Sequence, residues 1–234
     1  MKKVSVFIDG YNLYHAVERL KKPHLKWVNL FSLFAIFAPP ELDFKIIRVI
    51  FFTAPPTHKS KEVQKRYYNY IRVLEHYGVE IVEGKFKEKL ISYADDNGKL
   101  FTKKTYEEKE SDVNIALAIL EDAFEKTSDK ILVATNDSDI SPAIRLALTK
   151  NSNLKINVIT PPLEQGRKAN FDLMDACGDV HRTKKQVFFK TRMISEEHLE
   201  KNLLPNEVLI DENTKIIIPD KYRGSRNLHH CQKF

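Results

Sequence analysis

Glycine is scarce in this chain, 7 of 234 residues. Folds that cradle phosphates in Gly-rich loops need G-x-G-x-x-G or G-x-x-x-x-G-K after a strand, and neither occurs. Cysteine is scarcer still. Cys177 and Cys231 lie far apart in sequence, which excludes a disulfide framework and a four-cysteine zinc site and fits a reducing cytoplasm. Long apolar runs are also missing. The opening stretch Val4–Ile8 stops at Asp9, too short for a signal-peptide core, and nothing approaches the roughly 18 apolar residues of a membrane span. A soluble cytoplasmic protein with no membrane partner is the expectation.

What is present is the composition of a packed domain. The 42% hydrophobic and 30% charged residues exclude a disordered or fibrous chain. The length suits one sizeable α/β domain with an appendage, or two small domains. The formal net charge is +6, unevenly spread: residues 1–180 hold 27 Lys/Arg against 25 Asp/Glu, and residues 181–234 hold 11 against 7. An anionic partner is permitted by that balance but not demanded.

Strand and helix patterns alternate over the first 180 residues. Val4–Ile8, residues 45–53, Val79–Val82, Ile131–Thr135 and residues 155–159 read as strands. Helices are predicted at about 12–21, 28–38, 59–77, 112–125, 139–149 and 169–177. The 112–125 helix is expected to pack through Val113, Ala116, Leu117, Leu120 and Phe124. Such alternation implies a parallel sheet wrapped by helices. Phe86–Tyr93 and Lys99–Tyr106, flanking the turn signal Asp96-Asn97-Gly98, read as an inserted β-hairpin. The chain divides into a main domain, 1–185, and an extension, 186–234. The extension has a short helix near 195–202 and a second hairpin (Val208–Ile210, Lys215–Ile218). Too small for its own core, it is expected to dock on the main domain or to mediate homo-oligomerisation.

Four acids stand at related positions. Asp9 follows the first strand, Asp137 and Asp139 follow Ile131–Thr135, and Asp112 opens a helix. Ligands of an open parallel sheet bind beyond the carboxyl ends of its strands. Should the two strands be neighbours, the four carboxylates converge, and only a cation can balance them. Oxygen ligands of this kind suit Mg²⁺ or Mn²⁺ and metal-assisted hydrolysis of a phosphodiester. Taken singly, Asp9-Gly10 reads equally as a strand-ending turn, and Asp112, Asp137 or Asp139 as helix N-caps.

The segments FIDGYN (Phe7–Asn12), KESDVNIALAIL (Lys109–Leu120) and ATNDSDI (Ala134–Ile140) resemble the NYN family of the PIN-like nucleases, in order and spacing over roughly residues 3–180. The resemblance implies a PIN-like three-layer α/β sandwich with a mostly parallel sheet. It also implies a Mg²⁺- or Mn²⁺-dependent endoribonuclease acting on single-stranded or flexible RNA. Matched by position, Asp9, Asp112, Asp137 and Asp139 are its metal-site acids. Asn12 is the accessory polar residue, suited to hold a metal water or a phosphate. Ser138 lies between two motif acids, facing backbone or phosphate, and Asn136 stands where the family often has glycine. Glu108 and Glu110 are candidates for an outer carboxylate, against a plain reading as part of a solvated Lys/Glu run. The alternative function is a catalytically silent RNA-binding or assembly module.

Other features are weaker. A phosphatase reading of Asp9 needs a second Asp two residues on, where this chain has Tyr11. His229, His230 and Cys231 lack a partner cluster at zinc spacing and read as a fraying end. Cys177 reads as core. Residues 58–72 interleave Lys65 and Arg66 with Tyr67, Tyr68 and Tyr70, a pattern that suits single-stranded RNA or an ordinary helix whose tyrosines pack inward. Lys85, Lys87 and Lys89 share one strand face and, with Lys103 and Lys104, form a candidate second wall for phosphates. Arg145 faces substrate or solvent.

Overall fold

The computed structural model describes residues 1–94, 100–178, 180–182, 187–189 and 192–223. The turn Asp96-Asn97-Gly98 and the terminal His229, His230 and Cys231 lie outside them. The chain runs through β1 (Lys2–Asp9), α1 (Gly10–Arg19), α2 (Leu30–Ala35), β2 (Phe44–Thr53), α3 (Lys61–His76) and β3 (Glu80–Glu83). The inserted hairpin is β4 (Lys85–Ala94) and β5 (Leu100–Lys109), ten residue pairs in register. Next come α4 (Ser111–Glu125), β6 (Lys130–Ala134), α5 (Ser141–Lys150), β7 (Lys155–Thr160) and α6 (Phe171–Ala176). The remainder holds the strand pair β8 (Val180–Arg182) and β9 (Val187–Phe189), then β10 (Arg192–Met193), α7 (Glu196–Lys201), β11 (Glu207–Asp211) and β12 (Thr214–Ile217).

The central sheet has the order β10-β7-β6-β1-β2-β3, and every neighbouring pair is parallel. Its inner strands are apolar on both faces because helices cover both. On one face Val4, Val6, Ile8, Val49 and Phe51 pack with Leu13, Leu33, Phe34 and Leu74 of the first three helices. On the other, Phe7, Ile50, Phe52, Ile131 and Val133 pack with Ile115, Ile119, Ile144 and Leu173. Among the described residues no helix is long and apolar enough to cross a membrane.

The sequence pattern misjudged α4. The side it gave to the core is turned outward: Val113, Leu117 and Phe124 are exposed. The sheet takes Ile115, Ala118, Ile119 and Ala123 instead, with Asp122 fully buried among them. Two causes act together. Ala118 and Ala123 let the helix lie close to the strands. Asp122, which made that side look polar, is satisfied by Ser5 Oγ (2.6 Å), Ser128 Oγ (2.7 Å) and the Ser128 N–H (3.1 Å). The second helix is shorter than its apolar run, since residues 36–38 leave the helix before Pro39.

The middle of the extension, residues 204–218, covers the main body. Leu204, Val208, Ile216 and Ile218 bury against Trp27 and Val73, and the Trp27 indole N–H donates to Pro205 O at 2.9 Å. Upstream, β10 supplies an edge strand to the central sheet.

Candidate metal centre

Strand β1 lies between β2 and β6, and Ile8 is level with Ala134. The carboxyl ends of β1 and β6 are therefore adjacent, and the residues that follow them meet. Asp9 closes β1 and caps α1: its Oδ1 accepts from the Asn12 N–H at 2.9 Å and its Oδ2 from Thr135 Oγ1 at 2.8 Å. The Thr135 hydroxyl also accepts the Asp137 N–H at 3.0 Å, and Asp137 Oδ1 accepts the Asp139 N–H at 3.0 Å. One continuous hydrogen-bonded path thus runs from Asp9 to Asp139. Thr135, fully buried, is the link in it between Asp9 and Asp137.

Gly10 makes this turn possible. A Cβ there would stand 2.5 Å from Phe52 O and 2.7 Å from the Phe51 ring, closer than packing allows. The glycine of D-G-x-N is therefore a matter of space, because α1 leaves the sheet directly across β2. Gly84 has the same role where the hairpin begins: a Cβ would stand 2.5 Å from Lys109 O. That contact brings the end of β5, with Glu108, back to the start of α4.

The acids feel one another. Burial raises the Asp9 carboxyl to about 6, and the charges of Asp112 and Asp137 push in the same direction, against the two hydrogen bonds. Burial also raises Glu108, to about 7, aided by Asp9 and Asp112. Asp112 is raised by burial first, then by Asp137 and Asp139. The structure therefore brings Asp9, Asp112, Asp137 and Asp139 into one field, and adds Glu108. In the sequence pattern Glu108 has only an outlying place, because it sits in a Lys/Glu run. The Ser111 hydroxyl, donating to it, was not anticipated either. Thr135 was overlooked as the last residue of an apolar strand; its position two before a motif Asp is the signal that was available.

None of these five carboxylates pairs with a Lys or Arg among the described residues. Among those residues no three Asp, Glu, His or Cys side chains close on a single point in the metal-holding arrangement. The donor set itself fits a hard divalent cation: it is all carboxylate oxygen, it has excess negative charge, and the described residues supply no counter-charge.

The other expected residues fall around this centre. Asn12 is half-buried on α1, and Ser138 is half-buried in the 138–140 turn. Asn136 ties that turn to α6, its Oδ1 accepting the Asn170 N–H at 2.8 Å. Lys65 is exposed on α3, and Arg66 pairs with Glu62 one turn earlier. Tyr67 is half-buried; its hydroxyl donates to Glu83 at 3.1 Å. Tyr70 is turned inward, its hydroxyl donating to Val28 O, whereas Tyr68 keeps an exposed ring. Arg145 reaches toward Asp172 O and Asp175 on α6. On the hairpin, Lys85, Lys89, Lys104 and Lys109 pair with Glu110, Glu107, Glu88 and Glu107. Lys87 and Lys103 have no such partner among the described residues.

The sequence did not anticipate an aromatic cluster at the hairpin base. His58 stacks on Tyr106 at 4.2 Å between ring centroids and meets Phe86 edge-on at 4.6 Å. Phe86 in turn lies 6.3 Å from Tyr11, which is 44% exposed and feels the Glu108 charge. A partly open cluster of aromatic rings therefore borders the carboxylates.

Comparison with known proteins agrees with this architecture. The chain is 28% identical over 201 residues to 6-hydroxy-3-succinoylpyridine 3-monooxygenase HspA of Pseudomonas putida (strain DSM 28022 / S16). The match takes in 74% of this chain and 64% of that protein, so the chain spans under two thirds of its relative's length. A solved structure of VPA0982, a protein of unknown function from Vibrio parahaemolyticus RIMD 2210633, shares the fold. It has a TM-score of 0.50 and 17% identity, covering 87% of this chain and 96% of that one. Residues 3–183 match the NYN domain, from the first strand through the last helix of the main body. With that match over most of its length, and the D-G-x-N and D-S-D turns at adjacent strand ends, the chain belongs to the NYN domain family of PIN-like nucleases.

Proposed function

We propose that this protein is a Mg²⁺- or Mn²⁺-dependent endoribonuclease that hydrolyses single-stranded or flexible RNA. The observation that carries this reading is the group of mutually repelling carboxylates that pair with no Lys or Arg among the described residues. Asp9, Asp112, Asp137 and Asp139 would hold the metal. When bound, the cation supplies charge for the phosphodiester oxygens and acidifies water. The chain's own residues do the positioning. Asn12 and Thr135 fix both oxygens of Asp9, and Asn12 and Ser138 offer polar groups beside the acids for phosphate or water. Lys65 with Arg66 and Tyr67 on α3, and Lys87 and Lys103 on the hairpin, border the cleft as contacts for an RNA strand. The domain of residues 1–185 carries the chemistry in a reducing cytoplasm, and the extension of 186–234 acts as a docked appendage. Homo-oligomerisation through that extension would rest on Leu209 and Ile217, the exposed apolar side chains of its hairpin.

The test is cleavage of an unstructured RNA with Mn²⁺, Mg²⁺ or chelator, comparing wild type with Asp137→Asn. Cation-dependent cleavage lost in the variant supports the reading. RNA binding without cleavage leaves the silent RNA-binding module in its place. The aromatic surface of Tyr11, Phe86 and His58 favours a second substrate for the same assay. The name of the Pseudomonas relative specifies a hydroxypyridine, and a flat heterocycle stacks on such rings as a nucleobase does. Oxygenation of that pyridine when dioxygen and a two-electron donor such as a reduced nicotinamide are also supplied, without action on RNA, would replace the nuclease reading.

A further inference from the structure

Helix α4 is apolar on two sides. The inner side packs on the sheet, and the outer side bears Val113, Leu117, Leu120 and Phe124, three of them 57–61% exposed. A helix apolar all round normally lies within a protein interior or an interface, whereas exposed apolar residues of no consequence are scattered singly. These four are not scattered. They recur at steps of 4, 3 and 4, the spacing of a seam along which one helix packs on another. Next to the seam, α4 and the bare margin of β2 and β3 enclose a groove of about 540 Å³, floored by Ile50, Phe52 and Val82.

We propose that this face is a two-fold interface at which α4 of a second copy of the chain lies antiparallel on α4. The seam is self-complementary in that arrangement alone. With the axis passing between Leu117 and Leu120, each Leu117 meets the other copy's Leu120. Each Val113, the smallest side chain of the four, meets the other copy's Phe124, the largest. A two-fold axis brings the same flank of each helix together, so Glu121, on the groove side of the seam, meets the groove-side Asn114 of the other copy, and no like charges are opposed. A two-fold contact requires this kind of matching of a surface to itself. The area is of the right order. With 57% of its surface still open, each Phe124 adds roughly 85–140 Å² when covered. A 15-residue helix about 22 Å long, taken with the groove, brings the contact toward the ~800 Å² per partner of a standard interface. Asp112 stands about 100° round the helix from Val113, so the pairing leaves the carboxylate centre open. The extension is the weaker surface for this purpose, since most of its apolar side chains are already covered by Trp27 and Val73.

The experiment is the solution mass of the full chain by sedimentation equilibrium, for wild type, Val113→Lys, Phe124→Glu and an equimolar mixture of the two variants. Both positions are exposed, so each variant keeps its fold by circular dichroism; Leu117→Glu replaces either one that does not. Wild type is expected at twice 27.2 kDa, each variant at the monomer mass, and the mixture restored to the dimer by the Lys–Glu contact. A monomeric wild type overturns the proposal, the face then belonging to another partner or to residues 224–234. Variants as dimeric as wild type place assembly elsewhere, at the extension hairpin for instance, and overturn it too. A mixture that stays monomeric overturns the antiparallel pairing.

Discussion

Two aspartates are buried among the described residues, both against β1, and they are used differently. Asp122 is fully enclosed beside Ser5 and receives three donors, two hydroxyls and an N–H. Asp9 receives two donors and faces Asp112 and Asp137. The first is a closed structural joint. The second is an open electrostatic account, left with more negative charge than its donors can balance. Buried charge is tolerated when its hydrogen-bonding capacity is filled. What singles out a functional site here is the excess of acid over donor, not burial.

The contrast is testable from both sides. Asp137→Asn should lower cation-dependent cleavage of RNA by about 100-fold or more with little change in melting temperature; unaltered cleavage would sink the metal-centre assignment. Asp122→Ala should do the reverse. It strands the hydroxyls of Ser5 and Ser128 in the core and lowers stability by about 3 kcal/mol, read as a shifted urea midpoint, while folded enzyme keeps its turnover. Thr135→Val lies between the two. Losing the hydroxyl that joins Asp9 to Asp137 should cost about 1–2 kcal/mol and also reduce turnover, and a loss confined to stability would show that the link is only structural.

The smallest effect is on pH dependence. Asp9 and Glu108 have folded pKa values near 6 and 7, raised above their unfolded values of about 4. Between pH 4 and 7 the folded state therefore holds more protons than the unfolded one. Stability without metal must fall as pH rises through that window, by on the order of 3 kcal/mol for Asp9. Urea titrations in chelator should show that decline, and added Mg²⁺ or Mn²⁺ should flatten it. Asp112→Asn should flatten it in part and modestly raise the metal-free melting temperature at pH 7.5. A metal-free protein equally stable from pH 5 to 7.5 would contradict the electrostatic picture of the site.

Much of this was legible beforehand. The apolar strands, the helices between them and the acids at strand ends are local signals, because strand burial and chain direction leave their mark within a few residues. The failures have a common physical origin. Periodicity assigned α4 its larger apolar stripe, since nothing local shows that Ser5 and Ser128, 117 and 6 residues from Asp122, would neutralise the polar residue on the other side. Glu108 was obscured by its lysine neighbours, because only the closing of the hairpin on Gly84 carries it to Asp9. Tyr70 suited a base platform by its place beside Lys65 and Arg66, but its ring is turned inward and its hydroxyl donates to Val28 O, 42 residues away.

By itself the sequence determined that the chain forms a parallel α/β fold and that Asp9, Asp112, Asp137 and Asp139 sit where ligands of such folds bind. Its scarcity of glycine and cysteine had already removed the phosphate-loop and zinc alternatives, and the Gly10 it does contain stands where no Cβ fits. Only the tertiary structure decided which acids are balanced and which are not, and which face of α4 is left exposed. Both depend on contacts between residues far apart in the chain, and no local pattern encodes what a side chain will meet.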